Sequence, residues 1–223
     1  MPYIFQFGVV FDNLEPLLLG ALTTIQLSMT AILLGLGFGI LGALARTSSI
    51  APLRWMAASY VETIRNTPFL VQLFIVFFGL SSLGLRMSAG EAALLAMTVN
   101  LGAYATEIVR AGIEAVPKGQ IEGGLSLGLS RLQVFRYIVL FPALKTVYPA
   151  LASQFTLLML TSSVVSQISA EELTFAANFL QSRTFRSFEI YLVTTVIYLG
   201  LALLFRGFFA AVYATVFARR RRA

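Results

Sequence analysis

Pro16-Leu-Leu-Leu-Gly-Ala-Leu-Thr-Thr-Ile-Gln-Leu-Ser-Met-Thr-Ala-Ile-Leu-Leu-Gly-Leu-Gly-Phe-Gly-Ile-Leu-Gly-Ala-Leu-Ala45 carries no charge from end to end. A helix that crosses a bilayer needs about 20 mostly apolar residues, and this run exceeds that length. Uncharged runs recur at Asn66–Leu85, Ala92–Thr106, Thr146–Ala170 and Ile190–Phe205. Two of these four are long enough alone. The other two reach the length if one ionisable residue near an end is tolerated, Glu107 in one and Arg206 in the other. Composition agrees: 58% of the 223 residues are hydrophobic and only 12% are charged, about half the share a soluble domain carries. The expectation is an all-α polytopic membrane protein with five transmembrane helices, over about 16–45, 54–83, 90–114, 138–168 and 188–217, in one transmembrane domain spanning 1–223.

Charge predicts the orientation. With the N-terminus outside, five spans put Arg46, Arg54, Arg65, Arg110, Lys118, Arg131, Arg136, Lys145, Arg206 and Arg219 to Arg222 on the cytoplasmic side. Only Arg86, Arg183 and Arg186 stay outside, as the positive-inside rule favours. The C-terminus is then cytoplasmic, and the tail Arg219 to Arg222 reads as an anchor beside anionic lipid. The net charge of +6 therefore says little about nucleic acid, and no nucleic-acid partner is expected. No Lys or Arg precedes Arg46, so the start does not resemble a signal peptide, which needs a positive residue before its apolar core.

Cysteine and histidine are both absent. This removes disulfides, thiolate nucleophiles, His/Cys metal sites and catalytic triads. No Gly-Lys pair occurs, so there is no Walker-type phosphate loop. The chain is expected to be non-catalytic, with no catalytic residues, no metal and no cofactor of its own.

One interruption between spans has internal organisation, the loop at about 116–136. It reads Val116-Pro-Lys-Gly-Gln-Ile-Glu-Gly-Gly-Leu-Ser-Leu-Gly-Leu-Ser-Arg-Leu-Gln-Val-Phe-Arg-Tyr137. Pro117 suits a first helical turn. Gly128 suits the left-handed residue that ends a helix. Ser130 with Gln133 matches a capping box. The spacing predicts a helix over about 118–127, a sharp turn, and a second helix from about 131. By itself such a corner fits either a simple connector or a docking element.

The residues Glu122-Gly-Gly, Gly128, Ile138 and a nearby proline resemble the EAA loop of ABC importer membrane subunits. Three further segments resemble the polar amino-acid permeases of the histidine, glutamine, arginine, glutamate and opine type. They are Tyr60-Val-Glu-Thr-Ile-Arg-Asn-Thr-Pro-Phe-Leu-Val-Gln72, Gly102-Ala-Tyr-Ala-Thr-Glu-Ile-Val-Arg-Ala-Gly-Ile-Glu-Ala-Val-Pro-Lys-Gly-Gln120, and Ser182-Arg-Thr-Phe-Arg-Ser-Phe188. The resemblance covers about residues 15–217. It implies a type I ABC importer membrane fold with a cytoplasmic coupling helix, in the bacterial inner membrane. The implied partners are two ABC ATPase subunits that bind ATP and Mg, a second identical or homologous permease, an extracytoplasmic solute-binding protein and an amino-acid substrate. It assigns ATPase docking to Glu122, Gly123, Gly124, Gly128, Ser130 and Gln133. Two departures stand out. Gly123-Gly124 replaces the usual Ala-Ala, at about 1 kcal/mol of helix propensity per glycine, so the helix is either softer or closer to its partner. The proline is displaced to Pro142, after Phe141.

Polar residues inside spans supply the remaining candidates. Glu62 with Arg65, and Glu107 with Arg110, are three apart on one helical face and read as structural ion pairs. Gln154, Thr161 and Ser162 in the fourth span, Asn100 and Tyr104 in the third, and Gln72 in the second are pathway candidates, although small polar groups in membranes often serve helix packing instead. Related permeases often hold a carboxylate near Gln154 and a Lys-Asp pair near Leu160-Thr161, where this chain is neutral. Pro142 and Pro149 are expected to kink the fourth span. A rival reading is a self-sufficient secondary transporter or channel for small polar solutes. It would need a deep ion-coupling carboxylate or inverted repeats, and the sequence displays neither.

Overall fold

The structure, a computed structural model, describes residues 4–218. The tail Arg219 to Arg222 lies outside them. The described chain is helical throughout, and four continuous helices are long and apolar enough to cross a membrane. We call them α1 (Leu14–Arg46), α4 (Ala89–Glu114), α6 (Arg131–Ile168) and α8 (Ser187–Phe217). Between them lie α2 (Ala51–Arg65), α3 (Phe69–Ser82), α5 (Lys118–Ser126) and α7 (Leu173–Thr184).

α4 is the most buried of the four long helices and touches α1, α2, α3 and α6. It opens with a complete capping box: Ser88 Oγ accepts from the Glu91 amide, and the Glu91 carboxylate accepts from the Ser88 amide at 2.8 Å. α1 runs about 50 Å and lies against α4 on a strip of glycines. A Cβ on Gly35 would come within 2.9 Å of Leu101, and one on Gly39 within 3.0 Å of the Ala105 backbone; Gly42 faces Thr106 in the same way. Small residues let two helix backbones approach where no hydrophobic effect drives association in lipid. The sequence displays these glycines, but their facing partners lie over 60 positions away and carry no local signal.

The second expected span, 54–83, is not one helix. It breaks into α2 and α3, whose axes differ by 111°. The break falls at Asn66-Thr67-Pro68. Proline disfavours the helical conformation of the residue before it and offers no amide donor. The Asn66 side chain ends α2 by donating to the Glu62 carbonyl at 2.8 Å. The uncharged run from Asn66 onward conceals this break, because apolarity alone does not distinguish a straight helix from a bent pair.

α6 is continuous from Arg131 to Ile168. Pro149 sits inside it without interrupting it. Ahead of Pro142 the backbone widens into i→i+5 turns over Phe135–Val139. The widening accommodates a proline that has no amide for the Ile138 carbonyl, and the helix runs on through it.

The segment between α6 and α8 is an ordered helix rather than an open loop. Ser169 and Phe185, both left-handed (φ 63° and 57°), bound its two ends. Glu172 caps α7 by accepting from the Phe175 amide at 2.9 Å. Its other oxygen accepts from Tyr198 Oη at 2.6 Å and from Thr24 Oγ1 at 3.4 Å. One carboxylate thus ties α1, α7 and α8 together at the end of the bundle away from the α5 corner. It is 1% exposed, and burial raises its pKa against the lowering effect of Tyr198 and the backbone donors. A raised carboxyl pKa adds stability below the ordinary carboxylate range and loses it as pH rises through the raised value. Wild-type protein is therefore expected to gain thermal stability on acidification relative to Glu172→Gln, which keeps the acceptor oxygen but cannot ionise. Melting curves in detergent at a series of pH values measure this; parallel pH profiles for the two proteins would remove the burial effect.

Candidate functional site

The α5 corner forms from local signals. Lys118–Ser126 is helical, Gly128 takes φ 81°, and the Ser130–Gln133 capping box has both reciprocal bonds, with the Gln133 side chain accepting from the Ser130 amide at 2.8 Å. Beneath it, Val116, Val134, Val139 and Ala143 make a small apolar cluster separate from the main core, with Ile121, Leu129 and Ile138 against it. The two successive glycines differ in kind. Gly123 is exposed, and a Cβ there would meet nothing. Gly124 is buried against Val134 and Ile138 of the corner's own second leg. The close approach made possible by Gly124 is thus internal to the corner. Glu122 is exposed and has no side-chain hydrogen bond among the described residues. Leu127 and Leu132, which sequence reading passed over, are 84% and 75% exposed at the corner tip. Apolar tips beside an unpaired carboxylate make a small contact surface of the kind that seats in another protein's cleft.

Next to the corner lies a chain of charges. Arg110 donates to Glu107 at 2.7 Å and to Glu114 at 2.7 Å, while Arg46 Nε reaches Glu107 at 3.2 Å. The expected Glu107–Arg110 pair is present and gains Arg46, which fastens the end of α1 to α4. The expected Glu62–Arg65 pair is not: among the described residues no ion pair joins them. The Glu62 carboxylate accepts from Asn66 at 3.1 Å, and the Arg65 guanidinium lies over the Tyr104 ring at 5.6 Å. The break after Arg65 draws Glu62 into closing α2, and the cation settles on an aromatic face instead.

Most pathway candidates are engaged in holding the fold. Gln72 Nε2 donates to the Ile64 carbonyl at 2.7 Å, the Thr67 carbonyl at 3.1 Å and Thr67 Oγ1 at 2.9 Å. Its Oε1 accepts from Asn100 at 2.9 Å. Together they clamp the α2–α3 bend onto α4. Thr161 and Ser162 bond back to their own helix, to the Leu157 and Met159 carbonyls. Gln154 is half-buried, and its amide has no hydrogen-bond partner among the described residues. The Tyr104 hydroxyl, above whose ring Arg65 lies, likewise has no hydrogen-bond partner among the described residues. No group of three or more His, Cys, Asp or Glu able to hold a metal occurs among the described residues.

Long apolar helices joined through an exposed, capped corner describe a membrane protein with one surface shaped for contact with another subunit. The chain belongs to the family described as binding-protein-dependent transport system inner membrane component, matched over residues 16–222. It is the permease subunit of an ABC importer, a multi-pass protein of the inner membrane whose family acts with ATPase and solute-binding partners. It is 34% identical over 196 residues to a probable glutamine ABC transporter permease of Bacillus subtilis, covering 88% of this chain and 91% of the relative. It is 37% identical to the L-cystine transport system permease of the same organism, over 74% of this chain and 71% of the relative. A crystal structure of an amino acid ABC transporter with histidines superposes with a TM-score of 0.90 at 34% identity, covering 96% of this chain and all of that one.

Proposed function

We propose that this permease takes up amino acids handed over by an extracytoplasmic binding protein, as one of a pair of identical or related permeases above two ATPase subunits. ATP and Mg belong to those ATPases. The N-terminus faces outward and the α5 corner faces the cytoplasm, the orientation that the distribution of Arg and Lys favours. The observation that carries the reading is the corner itself: a capped, exposed two-legged element whose second leg is continuous with α6 and whose first leg follows α4 after the short turn at residues 115–117. The amino-acid assignment is supported by what the relatives are described as transporting. Glu122, Leu127 and Leu132 contact the ATPase, and Gln154 faces the solute. Selectivity rests mainly with the binding protein, because the polar side chains of this stretch of α6, Ser153, Gln154, Thr156, Thr161 and Ser162, are all neutral.

Reconstitution tests this directly. Proteoliposomes holding the permease, its ATPase and binding protein are expected to accumulate amino acid only with ATP, and the permease alone is expected to be inert. Uptake by the permease alone would instead make it a self-sufficient carrier.

A further inference from the structure

Arg206 stands in an unusual place. The uncharged run Ile190–Phe205 precedes it, and Gly207–Ala218 follows with no charge, so the next cation in the sequence is Arg219. The residue is exposed on α8 and has no ion pair or hydrogen bond among the described residues. An unpaired guanidinium on an apolar helix is costly unless an anion or water reaches it. It lines an open groove of about 560 Å³ between α6 and α8. The groove runs along α8 to Tyr213, two turns nearer the corner end; that end is fixed by the contact of Phe141 with Phe217 at 5.6 Å.

The donors facing this groove are of one kind. Arg206, the Ser153 hydroxyl and the Tyr213 hydroxyl have no hydrogen-bond partner among the described residues. Tyr148 donates to the Phe209 carbonyl at 2.8 Å and leaves its ring as wall. No carboxylate lines the groove, and most of its surface is apolar. A guanidinium with two hydroxyls above an apolar trough suits a phosphate diester attached to acyl chains. Tyrosines are enriched where headgroups sit, and Tyr213 lies toward the corner end of α8. A second copy of this chain fits less well. Of the carboxylates at the corner end, Glu107 and Glu114 are already paired, and Glu62 and Glu122 stand on short helices rather than on an apolar helix face.

We propose that the Arg206 groove is a binding site for an anionic phospholipid of the leaflet on the corner side, with the phosphate held by Arg206, Ser153 and Tyr213 and the acyl chains laid between α6 and α8. Basic pockets between transmembrane helices take such headgroups.

Native mass spectrometry of the assembled importer, with phosphatidylglycerol or phosphatidylcholine added, tests the site. The wild type is expected to retain phosphatidylglycerol over phosphatidylcholine by about tenfold, the scale of one charge-assisted contact. Arg206→Gln is expected to bring the two lipids close to parity, and Arg206→Lys to keep part of the preference. An unchanged preference in Arg206→Gln would overturn the proposal. So would displacement of the lipid by inorganic phosphate, which marks a simple anion site, or loss of the second permease from the Arg206→Gln complex, which assigns the groove to the permease pair. If the Arg206→Gln chain itself does not fold and insert, the double variant Ser153→Ala/Tyr213→Phe decides: a preference reduced several-fold supports the site, and an unaltered one rejects it.

Discussion

Glu122→Arg is expected to reduce ATP-driven uptake by at least about tenfold while leaving the permease inserted and folded. The two halves of this expectation have separate causes. Glu122 is exposed and makes no side-chain bond within the chain, so its replacement touches nothing that holds the fold, and surface changes of this kind usually shift stability by about 0.5 kcal/mol or less. In the complex, reversing a charge at a docked surface places like charges together and costs several kcal/mol, where 1.4 kcal/mol is already a factor of ten in affinity. Uptake in proteoliposomes and co-purification of the ATPase give the two readouts. Unchanged uptake with the ATPase still bound would take Glu122 out of the docking surface.

Gln72→Leu is expected to act the other way, through the fold. Leucine approximates the size of glutamine but strands the Asn100 amide and removes the donor shared by the Ile64 and Thr67 carbonyls and the Thr67 hydroxyl. Both side chains are 8% exposed. A buried polar group left without its partner costs about 1–3 kcal/mol, and more than one is affected here, so a loss of about 3 kcal/mol or more is expected. It should appear as a lower melting temperature and a smaller folded yield in detergent. A variant as stable as wild type would show that the bend is held by the Thr67-Pro68 backbone alone, and would return Gln72 and Asn100 to the pathway.

What could be read from the chain depended on how far apart the cooperating residues lie. The corner was legible because Pro117, Gly128, Ser130 and Gln133 act on backbone within a few positions of themselves. The long helices were legible because apolarity is a property of a run. The break at Pro68 was written in the sequence but masked by the apolar run around it. Glu172 reads as a loop charge until Thr24 and Tyr198, 148 and 26 positions away, are brought to it. Gln72 and Asn100 look like solvent-facing polar groups until they are seen bonded to each other. The Glu62–Arg65 spacing promised a pair that the end of α2 dissolved. Leu127 and Leu132 drew no notice because a leucine in a membrane protein is unremarkable until its exposure is known.

The legs of the corner are joined again just above it. Gly112 of α4 is buried flush against Val147 and the Ala143 carbonyl of α6, and Gly124 is set equally close to Val134 and Ile138. Bracing at two heights turns a hairpin into a truss. A load applied at Leu127 would meet a corner braced at two heights before it reached α4, the most buried of the long helices. Bulk added at Gly112 would therefore soften the linkage itself, spoiling the stroke without altering either the surface that receives the load or the cavity that the load must open.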